Sequence, residues 1–517
     1  MKKRTGEKKG AIKNSVGRIT LTALLILLQI IAIVLFIMNL GAEYPILAMT
    51  IRGIALFIVI GINAIDNNSA IKLAWVIIIL TVPVAGIILY IIAQYNPYLR
   101  IVKRKLNKID DEIFPKVDRQ DESFENLKKK APDVASQFSY LRSKPFPVYE
   151  NTDIRYYDSA ESAFEAQLHD MEKATKYIYM EYHAVANSKY FEPLHDVLLR
   201  KVAEGVDCRI LYDDVGSGIF VNRDFKRQLN SEGIKCNVFN PALPFLSIFM
   251  NNRDHRKITV IDGIYGYTGG YNLADEYFNI ISPYGYWKDN GIRLKGPAVN
   301  SLEAMFIEMW NFSDLRTDDI TKLNFENRYP WKVETKGFVA PYADSPIDND
   351  PMGENVYINI LGNAVDYCWF MSPYLVLSDE LKRAISLAAK RGVDVRIITP
   401  GIPDKRTVFG VTRSYYNLLA LSGARIYEFT PGFNHCKLCL SDDKTCVVGT
   451  INLDYRSLFH HFENGVLLYD VDAITDVKSD FINTFETSEE VTEKAKIKPN
   501  LIMRFIRSLL RLIAPLL

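Results

Sequence analysis

No excess of charge of either sign marks this sequence. Its 62 Lys and Arg stand against 61 Asp and Glu in 517 residues, a formal net charge of +1, which argues against a generally basic nucleic-acid binder. Cysteine is scarce: Cys208, Cys236, Cys368, Cys436, Cys439 and Cys446 are scattered over the whole length, so a small disulfide scaffold is excluded and reduced thiols are expected. No carboxylate cluster with metal-ligand spacing is visible. No A-x-A pattern follows Leu40, and the apolar run before it is too long for a cleaved signal peptide.

Long apolar runs, by contrast, are present, all within the first hundred residues. Residues 19–40 form one, broken by Gln29, Asn39 and two threonines, and residues 71–92 form another, with Lys72 at its entrance and Pro83 inside. Each suffices for the roughly 30 Å hydrocarbon core of a bilayer. The run between them, 46–65, carries Arg52 and is ambiguous. Lys2, Lys3, Arg4, Lys8, Lys9, Lys13 and Arg18 precede the first run, and Arg100, Lys103, Arg104, Lys105 and Lys108 follow the last. Positive-inside reasoning puts both flanks in the cytoplasm and demands an even number of spans. Two spans, 19–40 and 71–92, are expected, with 46–65 re-entrant or interfacial.

Residues 96–145 are charge-rich and read as a helical connector on the membrane surface. Beyond Pro145, β-rich runs alternate with helical stretches, and the pattern occurs twice, over 146–335 and 336–490. "KYIYMEYHAV" and "YCWFMSPYLV" open the halves; "EGVDCRILYD" and "RGVDVRIITP" follow, then "GIKCNVFNP" and "GARIYEFTP". Strand–helix–strand order predicts parallel pairing with helices on both faces, an α/β class. The offset between halves is 187 at the second of these pairs, 190 at the third and 180 at the segments that come next, so loop lengths differ. The main insertion, "ALPFLSIFM" at 242–250, reads either as a buried hairpin or as an apolar lip dipping into the bilayer.

Those next segments are "HRKITVIDGIYGYTGGYN" at 255–272 and "HCKLCLSDDKTCVVGTIN" at 435–452. His255/His435, Lys257/Lys437, Asp262/Asp442, Gly269/Gly449 and Asn272/Asn452 all keep one register, so two copies of one site are predicted. On a strand, residues i and i+2 share a face, which aligns His255 with Lys257. Asp262-Gly263 signals a tight turn, and the returning strand delivers Asn272 beside the histidine. A phosphodiester shields its phosphorus with negative charge, so lysines and amide donors must neutralise it as the transition state forms. Two imidazoles then suffice: one attacks phosphorus, and the other moves the proton of the leaving and incoming alcohols.

The two H-x-K-x4-D-x6-G-[GT]-x-N motifs resemble the HKD signature of the phospholipase D superfamily. The apolar N-terminus ending in "AIKLAWVIIILTVPVAGIILYII", "GYWKDNGIRLKGPAV" and "NLDYRSLFHHFENG" further resemble bacterial cardiolipin synthases. The resemblance implies duplicated phospholipase D-like domains, two α/β/α halves with pseudo-twofold symmetry, preceded by N-terminal transmembrane helices. It also implies that phosphatidylglycerol is converted to cardiolipin and glycerol through a phosphohistidine. The catalytic positions it marks are His255, Lys257, Asp262, His435, Lys437 and Asp442, with the aspartates supporting the hairpins. Asn272 and Asn452 match phosphate-binding positions, and Glu463 and Asp289 the acids that hydrogen-bond a catalytic histidine. Relatives use the N-terminal motif for the nucleophile, which points to His255. No cofactor, metal or nucleic acid is implied; the partners are phosphatidylglycerol and bilayer phospholipids, and the location is the bacterial cell membrane, multi-pass with cytoplasmic catalytic domains.

Competing readings are a water-using phospholipase D, a nuclease and a scaffold with a decayed site; the apolar runs and the intact motifs oppose the last two. Cys436 and Cys439 next to His435 could suggest zinc, but they would point to opposite faces of a strand and no second ligand pair is evident. His183, at a strand end, is open between lining the pocket and packing. At 500–517, Arg504, Arg507 and Arg511 fall on one helical face and Ile502, Phe505, Ile506, Leu509 and Ile513 on the other; this amphipathic helix fits the membrane interface or a dock on the catalytic domain.

Overall fold

The computed structural model describes residues 44–513 apart from 66–67, 95–96, 222, 242–250, 314–319, 321–324, 326–333, 349 and 498–499. The expected span 19–40 and the 242–250 insertion lie outside the described residues.

The ambiguous run forms the longest apolar helix here, Pro45–Asn63. Its 19 residues reach about 28 Å, enough to cross a hydrocarbon core by length and composition. It is the one such helix among the described residues. The run 71–92, expected to be a single span, is instead broken at Val82 into Ser69–Thr81 and Pro83–Gln94. Proline cannot donate the next helical hydrogen bond and its ring clashes with the preceding turn, so Pro83 starts a new helix. The two helices fold back on each other closely enough that a Cβ on Gly86 would lie 2.6 Å from Ile79 Cα. Ala55, Ile62, Ile79 and Tyr90 are buried where the three helices meet.

The charged segment is helical, as expected, and its apolar face packs against the domains that follow. Val102, Leu106, Ile109 and Ile113 of helix Pro97–Ile113 repeat at helical spacing and join the main core, with Lys103, Lys108, Asp111 and Glu112 on the exposed side.

The first half contributes strands β1 (Asp153–Tyr157), β2 (Tyr177–Tyr182), β3 (Asp207–Asp213), β4 (Lys235–Phe239), β5 (Arg253–Asp254), β6 (Lys257–Ile261), β7 (Tyr265–Gly269), β8 (Tyr286–Lys288) and β9 (Gly291–Lys295). The second contributes β10 (Phe338–Asp344), β11 (Tyr367–Met371), β12 (Leu375–Val376), β13 (Asp394–Pro400), β14 (Arg425–Phe429), β15 (Gly432–Asn434), β16 (Leu438–Ser441), β17 (Thr445–Gly449), β18 (Leu453–Asp454), β19 (His461–Tyr469) and β20 (Ser488–Glu490). One sheet runs β1-β9-β7-β6-β2-β3-β4, and the other β10-β19-β17-β16-β11-β13-β14-β20. The repeat β9-β7-β6-β2-β3-β4 against β19-β17-β16-β11-β13-β14 is the duplication seen in the sequence.

Parallel pairing holds for β2-β3-β4 and β11-β13-β14. The motif strands β6, β7, β16 and β17 are antiparallel, so the sheets are mixed rather than wholly parallel. Asp262-Gly263 and Asp442-Asp443 make the turns with positive φ at all four residues (54°, 68°, 54° and 56°), a geometry that Asp and Gly tolerate best. One hydrophobic core includes Leu211, Ile258 and Val260 of the first half with Phe370, Val395 and Leu440 of the second, so the halves share their interior.

Helix Leu501–Ile513 docks on helix Arg406–Leu421: Arg511 donates to Ser414 Oγ at 3.1 Å and lies 4.7 Å from the Tyr415 ring centroid. Arg511 therefore faces the protein. Leu501, Ile502, Phe505 and Leu509 remain exposed on the outer face. The two readings of this segment are compatible, because one side docks while the other stays apolar and open.

Candidate active site

Two strand pairings that cross between the halves build the site. β5 runs parallel to the start of β19, with Arg253 opposite His461 and Asp254 opposite Phe462. β15 runs parallel to β8, with Phe433 opposite Trp287 and Asn434 opposite Lys288. Each ladder continues into a motif histidine: His255 N donates to Phe462 O (2.8 Å), and His435 N to Lys288 O (2.7 Å). Each motif histidine is thus sewn by its backbone to the other half.

The acids cross as well. His255 Nδ1 meets Glu463 Oε2 at 2.9 Å, and His435 Nδ1 meets Asp289 Oδ2 at 2.7 Å. Both histidines are nearly closed off, at 7% and 6% exposure, and the two acids are buried. An Nδ1–H donated to the carboxylate leaves Nε2 bare and fixes the ring plane. Glu463 is further held by the Thr450 hydroxyl. The matching position in the first half is Gly270, where a Cβ would come within 2.0 Å of Asp289 Oδ1. The shorter acid therefore sits beside glycine.

Lys257 Nζ and Lys437 Nζ donate to the carbonyls of His255 (2.7 Å) and His435 (2.5 Å). Burial, and then the charge of Lys437, pull Lys257 down to about 7. Burial brings Lys437 to about 8 despite the carboxylates of Asp289 and Glu463. Burial first and Lys437 second lower His435 to about 4; burial and Lys257 push His255 down as well. Burial also pushes Glu463 well above the usual carboxylate range, so the pocket holds two crowded lysines and two imidazoles with little negative charge to offset them. An entering phosphodiester anion supplies that charge and raises all four. Asn272 accepts from Ala184 N (3.1 Å) and donates to Tyr277 OH (2.9 Å), while Asn452 Oδ1 is buried with no hydrogen bond among the described residues.

Asp262 and Asp442, grouped with the catalytic positions in the sequence, do not face this cleft. Asp262 accepts from Thr175 N and Oγ1, Lys176 N and Tyr177 N at 2.7–2.9 Å. Asp442 accepts from Val365, Asp366 and Tyr367 N at 2.8–2.9 Å. Both tie the motif turn to the start of the neighbouring strand. Asp262→Ala is expected to cost about 2–4 kcal/mol of stability, because several charge-assisted bonds are lost together. Thermal unfolding measures this; an unchanged midpoint with lost activity would return Asp262 to the chemistry.

His183, left open in the sequence between lining the pocket and packing, lines it: its ring lies 4.9 Å from that of His255. Other cleft residues were not singled out in the sequence. The His461 ring lies 5.3 Å from that of His255. Around His435 stand Trp287 (5.2 Å), Tyr277 (5.3 Å) and Phe433 (5.8 Å) instead. The position two residues before each acid was the available signal: Trp287 before Asp289, and His461 before Glu463. His255, His461 and Glu463 also bring three ligand atoms within 4.8 Å of one another, a group that no sequence spacing announced. The C-x-x-C pair makes no joint site: Cys439 touches Cys368 (Sγ–Sγ 3.8 Å), while Cys436 lies near Lys288.

Among known proteins, the family model described as "Cardiolipin synthase, PLD-like domain" matches residues 168–310 and 357–485. The chain belongs to this family. A second model, "Phospholipase_D-nuclease N-terminal", matches 53–94. Cardiolipin synthase 2 of Bacillus anthracis is 31% identical over 456 residues, covering 88% of each chain. The cardiolipin synthase of Alkalihalophilus pseudofirmus is 31% identical over 87% of this chain and 90% of its own. An uncharacterized protein of Streptococcus mutans is 40% identical over 86% of this chain and 96% of its own. Among solved structures, the phosphatidylserine synthase of Haemophilus influenzae superposes with a TM-score of 0.54 at 15% identity, over 70% of this chain and 95% of that one. As a member of the family, the chain is a phospholipid phosphatidyltransferase of the phospholipase D superfamily.

Proposed function

We propose that this phosphatidyltransferase joins two phosphatidylglycerols, giving cardiolipin and glycerol through a phosphohistidine. The observation that carries the reading is the pair of buried histidines, each held at Nδ1 by an acid from the opposite half. In the first step His255 Nε2 attacks phosphorus, the bond to the glycerol oxygen breaks, and His435, charged once the phosphate anion is in place, gives its Nε2 proton to that oxygen. In the second step a hydroxyl of another phosphatidylglycerol gives its proton to His435 and attacks phosphorus, and the bond to His255 breaks. Lys257, Lys437, Asn272 and Asn452 hold the non-bridging oxygens while charge grows on them. Those cations supply what a metal supplies in many phosphodiesterases, so turnover is expected to persist in excess EDTA.

The test is lipid mass spectrometry after incubating the purified protein in bilayers containing phosphatidylglycerol alone. Cardiolipin and glycerol in equal amounts, with little phosphatidic acid, are expected. Dominant phosphatidic acid would make the protein a water-using phospholipase D.

The enzyme works at a membrane in this reading. Helix Pro45–Asn63 crosses the bilayer together with the 19–40 run, while the Ser69–Thr81/Pro83–Gln94 hairpin dips in and returns. Two crossings keep both basic flanks, and the catalytic halves, in the cytoplasm. Single cysteines introduced at Lys13 and Lys108 should then both be shielded from an impermeant thiol reagent in intact cells, and labelling of only one would overturn the topology.

A further inference from the structure

We propose that His255, His461 and Glu463 form a binding site for a divalent transition-metal ion of the zinc class, and that its occupation switches the enzyme off. Two imidazoles and a carboxylate are the donor set that zinc and cobalt take with one position left open. Their ligand atoms lie within 4.8 Å of one another; metal–ligand distances of about 2.0–2.2 Å put tetrahedral ligands about 3.4 Å apart, so small side-chain shifts draw the three onto one ion.

The second observation is what these groups lack. Among the described residues neither ring nitrogen of His461 has a hydrogen-bond partner, nor has Glu463 Oε1, although His461 is only 8% exposed and Glu463 is fully buried. His461 Nδ1 and Glu463 Oε1 face each other at 3.6 Å, beyond hydrogen-bond distance and open to a bridging ion. Because they sit at i and i+2 on β19, both side chains point to the same side of the strand, where His255 arrives from the other half. The pseudo-symmetric position offers nothing comparable: Trp287 stands beside His435, and an indole has no lone pair to give. The site is therefore built on one side only. Lys257 and Lys437 oppose a dication there, so the ion is held reversibly and not as a structural zinc.

Inhibition follows whichever ring nitrogen of His255 binds, and this clause alone rests on the proposed role of His255. Coordination through Nε2 occupies the attacking lone pair. Coordination through Nδ1 displaces the hydrogen bond to Glu463 and leaves the proton of the neutral ring on Nε2. Either way no lone pair is left to attack phosphorus.

The experiment titrates the purified full-length protein in detergent with Co²⁺, reading the visible ligand-field bands, and then displaces it with Zn²⁺. One Co²⁺ per chain with tetrahedral bands is expected. His461→Ala should weaken binding by at least the roughly 10–100-fold that even an outer-shell partner is worth, whereas His435→Ala should leave it unchanged. His461→Trp, which installs the residue of the other half, serves as a second variant should the alanine protein not fold. Zn²⁺ should suppress turnover of the wild type, and EDTA should restore it. Co²⁺ bands that are absent, or that survive both His461 variants, would overturn the proposal. Binding is read without lipid, so failure to make cardiolipin would leave this result standing, and absence of binding would leave the lipid chemistry standing.

Discussion

His255→Ala and His435→Ala are each expected to lower phosphatidyl transfer by about 10³-fold or more, yet the two inactive proteins should trap different species. Without His435, the nucleophile remains and only proton transfer to the leaving glycerol is lost. A slow attack can still occur, and the adduct then has no base to activate its acceptor. A phosphatidyl group should therefore accumulate on residue 255, detectable by mass spectrometry of the peptide that carries it. Without His255 no adduct should form. Rapid quenching of the wild type with an adduct on His435 would reverse the two roles while preserving the single cleft. The two histidines are alike in burial and in their carboxylate hydrogen bond; what distinguishes them is the lining, imidazole around His255 and aromatic around His435.

Glu463→Gln and Asp289→Asn form the second large effect, on the order of 10²–10⁴ in kcat, the range seen when the acid behind a catalytic histidine becomes an amide. The amide can offer N–H to Nδ1, which selects the tautomer with its proton on Nε2. The crossing of acids between halves makes the prediction specific. Glu463→Gln should behave like loss of His255 and trap nothing, although Glu463 follows the second motif in the chain. Asp289→Asn should behave like loss of His435 and accumulate the adduct. If each acid variant instead matched the histidine of its own half, the pairing at 2.9 Å and 2.7 Å would not be the one that operates. Thermal unfolding of both variants separates this from simple destabilisation, because an amide replaces the carboxylate at nearly equal volume.

The motif hairpins were legible because everything that makes them is local. Alternation aligned His255 with Lys257, and Asp262-Gly263 and Asp442-Asp443 provided residues that accept positive φ. The parallel strands β2-β3-β4 and their mates were legible for a similar reason, since strand–helix–strand units close on themselves. The membrane segments misled by composition: the 71–92 run has the length of a span, but Pro83 ends its first helix, while 46–65 keeps its helix despite Arg52. The charged connector was legible as helix, but its docking was not, because a few apolar residues at helical spacing among many charges do not name the surface that they pack on.

What the sequence by itself determined is the duplication, the two motifs whose residues are candidates for the chemistry, and the local geometry that presents them. It could name Glu463 and Asp289 as acids but not their partners. Only the tertiary structure decided that each acid serves the histidine of the other half, that Asp262 and Asp442 face away from the cleft, and that His461 and Trp287 line opposite sides of it. The physical reason is that β5–β19 and β15–β8 are joined by backbone hydrogen bonds, which every residue offers alike. Such pairing leaves no mark in side-chain chemistry, and it closes over about two hundred residues at the first ladder, so it is settled by how the two halves pack around their common core.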